Sequence, residues 1–200
     1  SNWLHATCNL DNWTFAFGGE GDISALPAAH AAVIDNDLQG LRKAVETEGK
    51  SALSQPGCIA NCFFVLLQGT PVHIAAGHGN LAMLRELRDL GADLQKDFEK
   101  VESPLHVAAV AGHVSVIQWL VDQRSQVNHQ GASGMTALHL ASHFGRLSVI
   151  EWLCKKSKNI VDLANSDGEL PVHLAAKSGH EDAAQLLLSI RRLHVASRDK

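Results

Sequence analysis

The sequence predicts an all-α fold in which short helix pairs stack into a solenoid of about five units. Three observations carry that reading. Thr70-Pro71-Val72-His73-Ile74-Ala75-Ala76 returns as Ser103-Pro104-Leu105-His106-Val107-Ala108-Ala109, as Thr136-Ala137-Leu138-His139-Leu140-Ala141-Ser142 and as Leu170-Pro171-Val172-His173-Leu174-Ala175-Ala176. The four histidines stand 33, 33 and 34 residues apart, a period typical of stacked repeats. Six residues beyond each histidine comes a glycine (Gly79, Gly112, Gly145, Gly179), and each glycine is followed by a second apolar stretch.

Each unit reads as two helices broken at that glycine. Proline or its equivalent (Ala137 in the fourth copy) opens the first helix, where the missing N–H of proline is not needed, and the glycine ends it. The paired small residues let first helices lie close together. Leu81-Ala82-Met83-Leu84, Val114-Ser115-Val116-Ile117, Leu147-Ser148-Val149-Ile150 and Ala183-Ala184-Gln185-Leu186 fill the layer between units. One such pair cannot bury its own apolar face, so consecutive pairs stack into a continuous core.

These residues resemble the ankyrin repeat. The resemblance rests on the [TS]-P-[LV]-H-x-A-A box, on Gly112-His113 and Gly179-His180, and on the approaches Gly91-Ala92-Asp93-Leu94 and Gln126-Val127-Asn128. It implies β-hairpin loops between helix pairs. It also implies a structural role for His73, His106, His139 and His173, whose ring nitrogens would bond the backbone of the adjoining turn, and for His113 and His180.

A degenerate fifth copy lies upstream, where Leu26-Pro27-Ala28-Ala29-His30-Ala31-Ala32 aligns with the box at an offset of 43 residues. The surplus between Gly49 and Gln68 reads as an enlarged hairpin, with Phe63-Phe64-Val65-Leu66-Leu67 expected to fold down as core. The repeats are expected at 25–68, 69–101, 102–134, 135–168 and 169–200, preceded by a leader or cap over 1–24 that is rich in Trp and Phe. After the second helix of the last repeat, Leu193 to Lys200 resembles the start of another hairpin. Further repeats or another domain are therefore expected to follow.

Composition narrows the function. Seventeen Lys+Arg against 21 Asp+Glu give a net charge of −4, without the basic stripe that phosphate neutralisation needs, so nucleic acid is not an expected partner. The apolar run Phe63–Leu67 falls far short of the roughly 20 residues a spanning helix requires, and no signal-peptide pattern precedes it. Direct membrane insertion is not expected. Four scattered cysteines favour a reducing, cytoplasmic setting.

No motif assembles a nucleophile, a base and an oxyanion hole, and no catalytic residue or cofactor is expected. No metal site is expected either. Repeat-equivalent histidines lie on the order of 10 Å apart at helix-packing distances, too far to share a zinc. Cys58 and Cys62 form half a site with no second pair nearby.

The expected function is that of a non-enzymatic interaction module, an adaptor or scaffold, monomeric by itself and bound to a protein partner. The resemblance implies a concave face built from loop tips and exposed first-helix positions. Those positions are His78 in the second repeat, and Glu99, Lys100, Glu102, Val110 and Ala111 in the third. The fourth contributes Met135, His143 and Phe144, and the fifth Asp167, Glu169 and Lys177, with Phe144 and Met135 as expected anchors. Trp119 and Trp152, 33 residues apart on second helices, form a competing surface on the back. Two alternatives stand beside this reading: a recognition or regulatory segment of a larger enzyme or effector, and a structural subunit of an assembly.

Overall fold

Pro71, Pro104 and Pro171 each occupy the first turn of a helix, as the sequence pattern requires. The structure, a computed structural model, describes residues 27–54, 69–95, 103–131 and 133–198, with the backbone alone for 194–198. Among these residues are ten α-helices: α1 (Ala28–Ile34), α2 (Leu38–Glu48), α3 (Pro71–Gly77), α4 (Leu81–Asp89), α5 (Pro104–Ala111), α6 (Val114–Asp122), α7 (Ala137–His143), α8 (Leu147–Lys156), α9 (Pro171–Lys177) and α10 (Glu181–Arg198). They form five consecutive pairs. Short 3-10 turns follow α2 at Lys50–Leu53 and α8 at Lys158–Asp162.

The break inside each pair is made by a left-handed residue. Gly79, Gly112, Gly145 and Gly179 have φ of +70°, +90°, +63° and +78°, and in the first pair Asn36 takes the role at +56°. Asn visits this region more easily than most side-chain-bearing residues. The residue that follows then reaches back over the preceding repeat. His113 Nε2 donates to the carbonyl of Gly77 (3.0 Å), Arg146 Nε to that of Val110 (2.9 Å), and Asn80 Nδ2 to Asn36 Oδ1 (2.6 Å).

The first helices α1, α3, α5, α7 and α9 form one layer and pack on one another far more closely than the second helices do. Their contact surfaces explain this: Ala75, Ala76, Ala108, Ala109, Ala141 and Ser142 are buried and small. The second helices contribute the larger side chains, including Met83, Leu84, Leu87, Val116, Ile117, Leu120, Val149, Ile150 and Leu153, to one core that runs through all five pairs.

The box histidines tie the layers together. In the second, fourth and fifth pairs the backbone N–H of Thr70, Thr136 and Leu170 donates to Nδ1 of His73, His139 and His173 (3.2, 3.1 and 3.1 Å). On the far side of the ring, Nε2 of His30, His106 and His139 meets the carbonyl of Gly69, Met135 and Glu169, each 3.1 Å away in the next repeat. A ring that accepts at Nδ1 and donates at Nε2 is a neutral imidazole of fixed tautomer. Burial is the leading cause that lowers the pKa of His30, His106 and His139, taking His106 to about 3.

Among the described residues no strand occurs, and the loop tips between repeats close as tight turns, with Gly131 N–H on the Met135 carbonyl and Asn165 N–H on that of Glu169, both 2.9 Å. One expectation changes: Leu193 does not open another hairpin, because α10 runs unbroken to Arg198. The segment Ile190-Arg191-Arg192-Leu193 contains neither Gly nor Pro, so nothing there stops the helix. The expected leader 1–24, Cys58, Cys62 and the run 63–67 lie outside the described residues.

Candidate protein-interaction surface

Repeat phase decides which side chains share a face. His78, Ala111, Phe144 and Ser178 end the first helices at equivalent positions, preceded by Gly77, Val110, His143 and Lys177. Among these eight, His78, Ala111, His143, Phe144 and Ser178 are half-buried and Lys177 is exposed, while Gly77 and Val110 are buried. Asp167 lies exposed in the loop tip before α9. Glu99, Lys100 and Glu102 lie outside the described residues.

The most ordered chemistry on this face spans the fourth and fifth repeats. Asn165 organises the tip: its side-chain Oδ1 accepts from the backbone N–H of Asp167 (3.0 Å) and of Glu169 (2.8 Å). The tip so held presents Glu169, whose carboxylate takes a salt bridge from Lys177 at 3.1 Å. That hydrogen bond is the leading cause that lowers the Glu169 pKa. Alongside, His143 Nδ1 lies 2.6 Å from Ser178 Oγ, and the His143 and Phe144 rings meet edge-on with centroids 4.8 Å apart.

Beneath these groups is an apolar cluster separate from the main core. Val110, Met135, Leu140 and Leu174 form it, with Phe144 packed against it from the outside. Met135 is 2% exposed and Val110 6%. The expectation that Met135 and Val110 present side chains to a partner is corrected on this point: both lie under the surface, Met135 clamped further by its carbonyl, which accepts from His106 Nε2 and Gly131 N–H. Periodicity placed them at loop-tip and helix-end positions, but they pack into one cluster with Leu140 of the fourth repeat and Leu174 of the fifth. Phe144 keeps the accessible position above them.

Trp119 and Trp152 sit on α6 and α8, half-buried and packed against the main core. The guanidinium of Arg88 lies over the Trp119 ring at 5.8 Å, a cation–π contact that covers part of its outer face. His78 and His113 have lowered pKa values, burial being the first cause for both. Cys154 is buried, and burial pushes its thiol up to about 12, so it stays protonated and unreactive near neutral pH. No group of three or more metal-ligating side chains occurs among the described residues, and no helix among them is long and apolar enough to cross a membrane.

Comparison with known protein families agrees with this geometry. A family model described as ankyrin repeats matches residues 29–131 and, overlapping it, residues 105–199. No curated protein matches the chain.

Proposed function

Because the chain belongs to the ankyrin-repeat family, whose members are generally protein–protein interaction modules, we propose that it binds a partner protein along its first-helix face. The work is non-enzymatic: the chain holds another protein as an adaptor or scaffold in the cytoplasm. The observation that carries the reading is the arrangement of Phe144 over the Val110–Met135–Leu140–Leu174 cluster, bordered by the Glu169–Lys177 pair and by Asp167. An apolar centre that can be desolvated, ringed by charge, is how interfaces concentrate their energy.

The mechanism is rigid presentation. A face built on stacked helices and pinned loop tips loses little conformational entropy on association, so a few anchors can dominate the affinity. Phe144 is the anchor; His78, Ala111 and His143 extend the contact along the layer; Asp167, Glu169 and Lys177 set its charge. Glu99, Lys100 and Glu102 are assigned to the same face by repeat phase.

The test compares proteins captured from native lysate by the wild-type chain and by a Phe144→Glu/Lys177→Glu double variant, after circular dichroism confirms that the variant folds. Loss of one dominant protein supports the assignment and identifies the partner. Capture unchanged by the double variant, but lost on substituting Trp119 and Trp152 by Ala, moves the site to the second-helix side.

A further inference from the structure

A second surface lies on the other side of the solenoid, and its form departs from the repeat pattern. Between α8 and α10 is a groove of about 520 Å³ whose apolar lining comes from Cys154, Leu186, Ile190 and Leu193, and whose rim carries Glu151, Lys155 and Lys158. Its length follows from α10, which is 18 residues long where α4 and α6 have nine each. Leu186, Ile190 and Leu193 recur at the i, i+4, i+7 spacing of a single helical stripe. The first two are half-buried against the core, but Leu193 is 72% exposed. That is an apolar stripe running on past the layer that would cover it.

The charge around the groove says what kind of molecule fits it. Glu151 is met by Lys155 at 3.8 Å, and Arg191 is held by Asp162 at 2.9 Å. Lys158 has no ion pair among the described residues, and Lys156 and Arg192 nearby are exposed. Around the groove Lys155, Lys156, Lys158, Arg191 and Arg192 stand against Glu151 and Asp162, a basic surplus in a chain whose net charge is −4. Two copies meeting groove to groove would bring like charges together. A slot between two helices with a basic rim instead suits an apolar ridge flanked by carboxylates.

We propose that the α8–α10 groove docks an amphipathic helix of a partner protein, its apolar stripe seated on Leu186, Ile190 and Leu193 and its acidic flank facing Lys155 and Lys158. The occupant meets the groove as one helix meets another, side chains at i, i+4 and i+7 filling the slot. The rim sets orientation and speeds encounter, so binding weakens as salt rises. This surface is distinct from the first-helix face and can be filled while that face is occupied.

The probe is a labelled 18-residue synthetic helix with Leu at i, i+4, i+7 and i+11 and Glu on both flanks, titrated with the full chain by fluorescence anisotropy. Saturable binding is expected. It should fall at least tenfold in Leu193→Glu, an exposed position at which folding is retained, and at least tenfold in Lys155→Glu/Lys158→Glu. A probe with Lys in place of Glu should bind the charge-reversed variant better than the wild type. Equal binding of a scrambled probe, or affinity unchanged in both variants, overturns the proposal. So does a dimer in sedimentation that Leu193→Glu abolishes, which gives the groove to a second copy. Tighter binding by a peptide of residues 1–24 of this chain gives it to the chain's own leader and equally overturns it.

Discussion

His139 spans two repeats: Nδ1 accepts the backbone N–H of Thr136 at 3.1 Å while Nε2 donates to the carbonyl of Glu169 at 3.1 Å. Because the ring must present a lone pair to one neighbour and a proton to the other, only the neutral imidazole with hydrogen on Nε2 satisfies both. The same residue type in the same phase binds His30 to Gly69 and His106 to Met135. Protonation of Nδ1 would remove the bond from Thr136 and leave the one to Glu169, so in His139 it is the bond within the repeat that requires the neutral ring.

Acid should loosen the stack before carboxylates matter. A histidine whose folded pKa is depressed binds its proton more readily when unfolded, so its contribution is complete above about 6.5 and is lost as pH falls toward the folded value, about 3 for His106. At pH 4.5 His106 alone is expected to cost roughly 2–3 kcal/mol. Urea midpoints measured from pH 7.5 to 4 should fall steadily. His106→Gln should be less stable at neutral pH but show a shallower acid slope, by about one proton; an unchanged slope would remove His106 from the account.

The first repeat lacks half of this arrangement. Pro27 stands where Thr70 and Thr136 cap the later helices, and it has neither an N–H nor a hydroxyl to offer. Nδ1 of the buried His30 accordingly has no partner among the described residues. Pro27→Thr/Ala28→Pro restores the box of the later repeats. It should raise stability by about 1 kcal/mol, read from the urea midpoint, by supplying the missing donor. A midpoint at or below the wild-type value would count against the capping argument.

Left-handed positions give a pair of opposite effects. Gly145 has φ +63°, and a Cβ there would lie 2.6 Å from His180 Nδ1. Gly145→Ala should therefore destabilise by about 1–3 kcal/mol, through strain and displacement of that ring. Arg124 has φ +72°, where the equivalent residue one repeat earlier is Gly91 at +89°. Arg124→Gly should gain about 1 kcal/mol by relieving the left-handed conformation. Thermal melts of the two variants should move in opposite directions.

Burial separates two residues that repeat phase put on one face. Met135→Ala should cost about 2–5 kcal/mol, because it empties space beneath the surface between Val110, Leu140 and Leu174. Phe144→Glu should leave the fold intact and act on binding. Comparing melting temperatures with affinity for the captured partner distinguishes them: loss of binding with an unchanged melt is expected of Phe144→Glu alone.

The sequence by itself determined the phase of the repeats, the helix pair in each, the glycines that turn left-handed and the structural nature of the box histidines. Those features depend on short-range chemistry: the N1 proline, the positive φ after the first helix and the i, i+3 reach from cap to histidine all act within one repeat. That His78, Ala111, Phe144 and Ser178 hold equivalent positions at the ends of first helices was legible for the same reason, since phase alone fixes a residue's place on its helix. Tertiary structure decided what phase cannot. Met135 and Val110 became buried because three repeats meet there: Val110 comes from the third, Met135 and Leu140 from the fourth and Leu174 from the fifth, in one cluster. Trp119 kept a cation over its ring because Arg88 of the preceding repeat reaches it. The α8–α10 groove arose where α10 outran its own layer. In a solenoid each residue's exposure depends on the volume and length of the adjacent repeat, and those vary from copy to copy even where the period stays at 33 or 34 residues.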